Sequence, residues 1–516
     1  DNFWDFISLM PESAHTIMWV LSDRGLPRSY AMMEGFGVHT FRLVNAEGKA
    51  RFVKFHWRPV LGTHSLVWDE TQKIAGKNPD FNRQDLWDRI EDGDYPEYEL
   101  GIQVVEEEDE HAFDFDLLDP TKIIPESEVP VRIVGKMTLD RNPDNFFAET
   151  EQVAFHPGHV VPGIDFTNDP LLQGRLFSYI DTQINRFSSA NFNEIPINRP
   201  VAAVHNNQRD GFMRQTINRG PVNYSPNSRG GGCPMTAPES EGGYVHYAER
   251  VEGHKVRERS DSFKDFFSQP TMFWHSLTEG EQDRLVSAAH FELGKVTIME
   301  VRERMVTDFF NHINHDLAVR VAKGIGVEPP TAFAGTETDK RIPEVSTIKR
   351  GRYDTIQTRK VAILLAEGFD HEQLMAVKSM LMDGGAMPTV VAETLGMLTS
   401  ASGETVEVDE SYLTTASVLF DAFFVPGGAE SVEALKAHGD ALHFVHEGYR
   451  HAKPIGATGE GVELLSAARL PDLDVPDGPT TSDRGVVTAH DDLDGFPEAF
   501  REAIAQYRHF DRNKKD

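Results

Sequence analysis

The stretch Asp169-Pro-Leu-Leu-Gln-Gly-Arg175-Leu-Phe-Ser-Tyr179-Ile-Asp-Thr-Gln183-Ile-Asn-Arg186 has the residue pattern of a single α-helix. Pro170 would stand in its first turn, where a residue without an N–H is tolerated. Polar side chains recur at helical steps and so share one face: Arg175, Tyr179, Gln183 and Arg186. Apolar side chains form a second face, which we expect to be buried: Leu172, Leu176, Ile180, Ile184 and Phe187. The sequence thus predicts a helix with one face for packing and another for chemistry.

Tyr179 and Arg175 pair a phenol with a guanidinium one helical turn away. A fixed positive charge beside a phenol favours its ionised form, and a guanidinium stays charged at any working pH. The resulting phenolate is a hard, anionic ligand that suits a ferric ion. The same spacing also fits a surface arginine that covers a half-buried tyrosine, so the residues by themselves leave both interpretations open.

The motif around Tyr179, Arg-Leu-Phe-Ser-Tyr-x-Asp-Thr-Gln, resembles the proximal haem-ligand motif of the monofunctional catalases. Further stretches in the same order are similar to that family: Arg141-Asn-Pro-Asp-Asn-Phe-Phe-Ala-Glu149, Gln152-Val-Ala-Phe-His-Pro-Gly-His159, Pro196-Ile-Asn-Arg-Pro200, Gln208-Arg-Asp-Gly211 and Asn223-Tyr-Ser-Pro-Asn-Ser228. The resemblance runs from residue 1 to about residue 320, and the rest of the chain resembles the tail of the large-subunit branch. One such motif would be weak support, whereas this many in order identify a member of the family.

The resemblance implies an enzyme that converts hydrogen peroxide to water and dioxygen at a haem and so protects against oxidative stress. It implies that Tyr179 is the axial ligand of the haem iron, and that the haem is of the b type or a modified d type. It also places these residues at the haem: Arg175, Gln183, Arg186, His156, Phe155 and Val38. In some large-subunit members the histidine that corresponds to His156 is joined covalently to the tyrosine. A homotetramer is the assembly that the family implies.

The resemblance leaves the catalytic acid–base residues unassigned. In the family a distal histidine and a distal asparagine act on the peroxide, and their motifs would precede residue 1. The proton transfer needs an imidazole, which can accept and return a proton near neutral pH. His15, His39 and His56 stand outside the distal motif, so none of them is assigned this role. We therefore expect this chain to lack the distal residues needed for full activity. The alternative is a catalytically silent C-terminal fragment that acts as an assembly or chaperone-like module.

Composition restricts the partners and the location of the chain. The formal net charge of −31 disfavours nucleic acids and anionic membranes as partners, because both are negatively charged. No apolar run approaches the roughly 18 residues that a membrane-spanning helix needs. Cys233 is the only cysteine, which excludes an intrachain disulfide and a cysteine-built metal site. A cytoplasmic location is therefore expected.

The order of predicted elements indicates several domains, as the length of 516 residues requires. Two alternating runs around a turn predict a β-hairpin within residues 36–57, followed by a helix at 80–92 and strands at 99–106 and 131–138. With the resemblance, this gives an α+β haem-catalase fold with a partial antiparallel β-barrel. The expected division is a partial barrel with the proximal helix (1–187), a wrapping segment (188–256), an α-helical domain (257–325), a linker (326–357) and a C-terminal domain (358–516).

The C-terminal domain alternates buried strands with helices. Strands are predicted at Lys360–Leu365, Thr389–Val391, Ala422–Val425 and Lys453–Ala457, with helices near 371–384 and at Ala429–His438. This order is typical of a parallel α/β sheet and resembles the flavodoxin-like tail of large-subunit catalases, a relative of the class I glutamine amidotransferases. In those enzymes a cysteine nucleophile follows a strand of the type Lys-Pro-Ile. Here Gly459 takes its place and Glu460 follows, so we predict that this domain is catalytically silent.

Overall fold

The structure, a computed structural model, describes residues 1–201, 208–230, 244–473, 479–490 and 493–513, and Cys233 lies outside these ranges. The first part contains, in chain order, α1 (Asn2–Leu9), α2 (Ala14–Leu21), β1 (Gly35–Phe36), β2 (Phe41–Val44), β3 (Ala50–Pro59), α3 (Trp68–Lys77), α4 (Phe81–Glu91), β4 (Glu97–Glu106), β5 (Arg132–Thr138), β6 (Ile164–Asp165) and α5 (Pro170–Phe187). The helix predicted at 80–92 and the strands predicted at 99–106 and 131–138 are confirmed by α4, β4 and β5.

The first sheet is antiparallel and curls into a half-barrel with the order β5-β4-β3-β2-β6, while β1 pairs with β3. The sequence predicts one strand from Phe36 onward, but the structure breaks it at Gly37. The Gly37 N–H donates to the Phe55 carbonyl at 2.7 Å, and a Cβ at Gly37 would lie 2.7 Å from that oxygen. The backbone passes β3 so closely that a side chain is excluded, and β2 starts only at Phe41.

Helix α5 confirms the helix predicted from the stretch that begins at Asp169. Its apolar face is less buried than expected, because Ile180 and Ile184 are 46% and 40% exposed. The expectation that this whole face is buried is wrong for the single chain. The reason is that α5 packs against the rest of the chain mainly through Leu172 and Gln183.

A helical region follows, with α6 (Ser268–Ser276), α7 (Glu279–Gly294), α8 (Met299–Arg304), α9 (Asn311–Ile313) and α10 (His315–Ile325). A π-helical stretch, Met305–Phe310, joins α8 to α9. Thr278 and Glu281 cap α7 reciprocally, since each accepts a hydrogen bond from the backbone N–H of the other. Residues of α1 and α2 share the core of this region: Trp4, Ile7, Ile17, Met18 and Leu21. In the part of the chain that is described, no helix has the length and apolar character needed to cross a bilayer.

The C-terminal domain contains β7 (Lys360–Leu364), α11 (His371–Asp383), β8 (Met387–Ala392), β9 (Gly396–Thr399), β10 (Thr405–Val408), β11 (Glu410–Ser411), β12 (Ala422–Val425), α12 (Ala429–Ala437), α13 (Gly439–Arg450), β13 (Ile455–Thr458), α14 (Gly461–Ala467), β14 (Thr481–Asp483), β15 (Val486–Ala489) and α15 (Phe496–Ala505). Its main sheet has the order β11-β8-β7-β12-β13-β15-β14 and is parallel except for β14. The predicted parallel sheet is confirmed. The β9–β10 hairpin and the antiparallel edge strand were not expected.

Buried ion pairs join the C-terminal domain to the first part of the chain. Arg28 binds Asp421 through Nε at 2.6 Å and Nη2 at 2.9 Å. Glu70, in the first turn of α3, lies 2.7 Å from Lys453 Nζ and 3.1 Å from Arg508 Nη2. We call Glu70, Lys453 and Arg508 the interdomain cluster. Because a buried charge is costly without its partner, these pairs tie the two parts of the chain together.

Candidate active site

The start of α5 is fixed by Asp169, whose side chain is fully buried. Its Oδ1 accepts hydrogen bonds from the backbone N–H groups of Leu171 at 2.8 Å and Leu172 at 3.1 Å. These are two of the N–H groups that a helix leaves unpaired at its first turn. Asp169 therefore sets where α5 begins and keeps its second oxygen, Oδ2, available for another partner.

Arg175 and Tyr179 meet on the same face of α5, as their spacing predicts. Arg175 Nη2 donates to the Tyr179 hydroxyl oxygen at 2.8 Å, and the guanidinium carbon lies 4.8 Å from the centre of the phenol ring. A cation that donates to this oxygen stabilises negative charge on it. The pair is half-buried, so its electrostatic interaction is less screened by water than on an open surface.

His39 connects Arg175 to Asp169. Its Nε2 lies 2.8 Å from Arg175 Nη1, and its Nδ1 lies 2.5 Å from Asp169 Oδ2. Since a guanidinium can only donate, His39 Nε2 accepts, and Nδ1 carries the proton that is donated to Asp169. The result is a continuous series of hydrogen bonds from Asp169 through His39 and Arg175 to Tyr179. We call these four residues the proximal chain.

His39 and Asp169 also belong to this site, and neither was predicted there from the sequence. Asp169 stands at the predicted start of the helix, so its position before Pro170 was a usable signal of a helix cap. His39 lies 130 residues from Asp169 along the chain, and no local pattern connects the two. His39 is connected to Tyr179 through Arg175, so the structure places it on the same side of the site as the tyrosine.

Gln183 and Arg186 hold the segment that precedes His156. Gln183 is buried, and its amide donates to the Phe155 carbonyl at 3.0 Å. Arg186 donates to Gln183 Oε1, to the Glu151 carbonyl at 2.7 Å and to the Val153 carbonyl at 2.7 Å. Both residues therefore fix the backbone of residues 151–155 relative to α5.

His156 lies beside Tyr179, with ring centres 6.2 Å apart and ring planes near perpendicular. Its Nε2 donates to the Leu176 carbonyl at 3.0 Å, and its Nδ1 accepts from the Gly158 N–H at 2.6 Å. A Cβ at Gly158 would lie 2.5 Å from the imidazole, so glycine is needed to leave room for it. Both ring nitrogens are thus engaged, and the imidazole is neutral with a fixed orientation.

Val38 and Phe155 are exposed apolar residues next to residues of this site along the chain. Val38 directly precedes His39 and lines a cavity of about 380 Å³ together with Phe36, His15 and Trp19. Phe155, directly before His156, is 76% exposed. Two larger cavities, of about 490 and 470 Å³, lie at the helical region and between domains, away from Tyr179.

Comparison with known proteins decides the family. Residues 1–231 match the catalase family model, residues 260–325 the catalase-related immune-responsive model, and residues 357–514 the C-terminal domain found in long catalases. The chain is 54% identical to Catalase-2 of Bacillus subtilis (strain 168), over 99% of this chain and 73% of that protein. It is 52% identical to Catalase HPII of Pseudomonas aeruginosa, over 99% of this chain and 71% of that protein. Catalase-B of Dictyostelium discoideum is 44% identical, over 100% of this chain and 74% of that protein.

The chain belongs to the catalase family. Its C-terminal domain places it in the large-subunit branch. The catalases are enzymes that act on hydrogen peroxide, and membership of the family implies a haem cofactor. The high identity over nearly the whole chain supports the enzyme rather than the silent assembly module as its function.

The residues of this catalase fit a haem at Tyr179. The phenol oxygen accepts one hydrogen bond, from Arg175, and keeps lone-pair capacity for a metal ion. Exposed apolar side chains directly precede two residues of this site, as a hydrophobic ring system would need: Val38 before His39 and Phe155 before His156. An anionic oxygen ligand next to exposed apolar groups suits a ferric porphyrin better than a polar substrate.

A second group of possible metal ligands in this catalase is already neutralised. Among the described residues, Asp69, Glu447 and His451 place ligand atoms within 4.8 Å of one another. The Lys73 ammonium lies 2.9 Å from Asp69 and also contacts Glu447, while His451 Nε2 lies 2.7 Å from Asp69 Oδ2. Because a lysine already supplies the positive charge there, we assign no metal to this group.

Proposed function

We propose that this catalase binds haem with Tyr179 as the axial ligand of the iron. The observation that carries the proposal is the 2.8 Å hydrogen bond from Arg175 to the Tyr179 oxygen, at the end of a series of hydrogen bonds that starts at buried Asp169. When bound, ferric haem supplies the redox centre at which hydrogen peroxide is converted to water and dioxygen. Both haem b and a modified d-type haem are compatible with this site.

The other proposed haem-site residues have distinct tasks. Arg175 keeps negative charge on the Tyr179 oxygen, and His39 and Asp169 hold the guanidinium in position. His156 stands against the tyrosine ring, and its neutral imidazole is held by Leu176 and Gly158. Phe155 and Val38 supply apolar contact to the porphyrin, while Gln183 and Arg186 fix the backbone that carries Phe155.

Proton transfer from peroxide is not assigned to His15, His39 or His56. His39 is engaged at both ring nitrogens within the proximal chain. His56 Nε2 is hydrogen-bonded to Gln103 at 2.7 Å. His15 Nδ1 lies 2.7 Å from the Thr121 carbonyl, and burial lowers its pKa to about 4, which makes it a poor base near neutral pH. The roles of the family's distal histidine and asparagine are therefore not assigned to any residue of this chain.

For the C-terminal domain we propose a flavodoxin-like fold without catalytic activity. Gly459 follows β13 with a φ of 53°, in the place where related amidotransferases carry a nucleophile. A Cβ there would lie 3.0 Å from the Gln373 amide nitrogen, and the Gly428 N–H donates to Glu460 at 2.9 Å. Gln373 thus fills the space beside Gly459, and Glu460 already accepts the hydrogen bond from the Gly428 N–H. Neither the space nor the donor is available to a substrate.

The remaining proposals concern the assembly, the domain boundaries and the location of the chain. We infer a homotetramer and keep the divisions at 187, 256, 325 and 357; the expected wrapping segment 188–256 lies partly outside the described residues. A cytoplasmic location rests on the use of a single cysteine. Sedimentation of the haem-loaded chain tests the assembly, and a monomer would contradict it.

The test of the haem site compares wild type with Tyr179→Phe after loading with ferric haem. We expect wild type to show a Soret band of bound haem and to release oxygen from peroxide. The variant should lose at least about 100-fold of that activity, because the anionic ligand is gone while the shape is kept. Tyr224→Phe removes an exposed hydroxyl elsewhere and is the matched control. Unchanged haem spectra and oxygen release in Tyr179→Phe would refute the assignment.

A further inference from the structure

Lys54 is a buried lysine on β3 whose ammonium binds the backbone just before His39. Its side chain is only 3% exposed. The ammonium donates to two backbone carbonyls, that of Lys122 at 2.7 Å and that of Val38 at 3.3 Å. Among the described residues, no carboxylate lies within 4 Å of it. A buried ammonium without a close ion-pair partner is costly, so a role that offsets this cost is expected.

The charged groups around Lys54 identify the carboxylate on which its charge acts. Asp169 and Asp119 are the carboxylates that act on it from farther away. Asp119 already has its own partner, because Lys122 Nζ lies 3.0 Å from it. The nearby imidazole of His15 is neutral, since burial lowers its pKa to about 4. Asp169 is therefore the carboxylate whose charge Lys54 can balance, and Asp169 belongs to the proximal chain.

The formal charges of the proximal chain indicate the role of Lys54. In the proximal chain Asp169 carries −1, Arg175 +1 and neutral His39 none, while Tyr179 carries −1 when it acts as a ligand. These charges sum to −1, and a bound ferric porphyrin core, with a formal charge of +1, would bring the sum to zero. The +1 of Lys54 is thus an additional positive charge that acts on Asp169 in a half-buried setting, where it is little screened by water. Burial lowers the pKa of Lys54 to about 8, against the opposing effect of Asp169 and Asp119, so the ammonium persists at neutral pH.

We propose that Lys54 is a positioning residue of the proximal site, which adds a positive charge that acts on Asp169 and fixes the backbone at Val38 and His39. The assignment rests on the proposed haem site and deepens it. Lys54 acts through Asp169, His39 and Arg175, and through the Val38 carbonyl, without touching the cofactor. The loss of its charge should make the site more negative and favour the ferric over the ferrous state.

The test measures the midpoint potential of the haem iron in the loaded full chain by spectroelectrochemistry. Lys54→Gln removes the charge but keeps N–H donors for the carbonyls, whereas Lys54→Met removes both. We expect both variants to shift the midpoint to a more negative potential and Lys54→Arg to leave it near the wild-type value. Phe52→Leu, a buried neighbour on the same face of β3, is the control for a loss of packing without a change in charge.

The outcomes separate the two levels of the proposal. A Lys54→Gln protein that binds haem with the wild-type potential, and differs only in thermal stability, would show a purely structural lysine and overturn the assignment. If Lys54→Met fails to fold, Lys54→Gln decides the question. A wild-type chain that binds no haem would instead refute the haem site, and the role of Lys54 would fall with it.

Discussion

The proximal chain and the interdomain cluster are both networks of buried charge, yet they end differently. In the proximal chain Arg175 donates one hydrogen bond to His39 and another to the half-buried oxygen of Tyr179, where the series ends. In the interdomain cluster Glu70 is fully buried and bound by two cations and by the N–H of Val67 at 2.8 Å. Both carboxylate oxygens of Glu70 are thus engaged by the chain itself.

This contrast distinguishes the proposed haem-site network from a structural network. Both networks contain a fully buried carboxylate and an arginine, and much of each network is deeply buried. The networks differ in whether they end at an atom that can bind a further group. The Tyr179 oxygen can do so, whereas both oxygens of Glu70 are already engaged. Changes in the proximal chain should therefore affect activity far more than stability, and changes in the interdomain cluster should do the opposite.

The largest effect is expected from Glu70→Gln in the interdomain cluster. Removal of the carboxylate leaves Lys453 and Arg508 buried without their partner, which typically costs about 3–5 kcal/mol of unfolding free energy. Activity per folded molecule should stay near the wild-type value. Urea unfolding and peroxide turnover of the same samples check both parts. Glu106→Gln, at a more exposed ion pair with Arg51, is the control and should leave unfolding nearly unchanged.

The pH dependence of stability adds a second test of the same cluster. Burial by itself would raise the pKa of Glu70, but Arg508 and Lys453 outweigh it and lower the pKa to about 2. A carboxylate whose pKa is lower in the folded state contributes stability above its ordinary value of 4.5, and that contribution is lost as the pH falls towards 2. The stability difference between wild type and Glu70→Gln should therefore shrink between these two pH values. A constant difference would mean that ionised Glu70 is not the source.

The next largest effect is expected from Arg175→Met in the proximal chain. Loss of the guanidinium removes the donor to Tyr179 and should lower peroxide turnover by roughly 100-fold. Thermal unfolding should change little, because Arg175 is only half-buried. Arg250→Met, an exposed arginine away from the site, serves as control. If Arg175→Met lost stability but kept its turnover, the distinction between the two networks would fail.

The smallest effect is expected from Gly459→Cys in the C-terminal domain. A non-glycine residue at a φ of 53° costs roughly 1–2 kcal/mol, and the new side chain meets the Gln373 amide. The restored thiol should give no hydrolase activity, because Gln373 and Glu460 fill the space around it. Assays with chromogenic esters and amides, alongside thermal unfolding, test this. Measurable hydrolysis would show that the domain retains a working site.

Local patterns in the sequence predict much of this molecule. Helix α5, the Arg175–Tyr179 pair and the parallel C-terminal sheet all follow from periodicity within short stretches. His39 could not be found this way, because its partner Asp169 is 130 residues distant. The contact of Arg508 with Glu70 spans 438 residues and depends on how two domains pack. The exposure of Ile180 and Ile184 was also missed, because periodicity identifies an apolar face but not what covers it.

Iron ligation by Tyr179 can be observed in the resonance Raman spectrum of the haem-loaded chain, excited in the region of phenolate-to-iron charge transfer. We expect phenolate ring vibrations in wild type and in Tyr224→Phe, and their disappearance in Tyr179→Phe. The same phenolate bands in Tyr179→Phe would show that another tyrosine binds the iron. They would contradict the assignment of the proximal chain as the network that ends at the iron ligand.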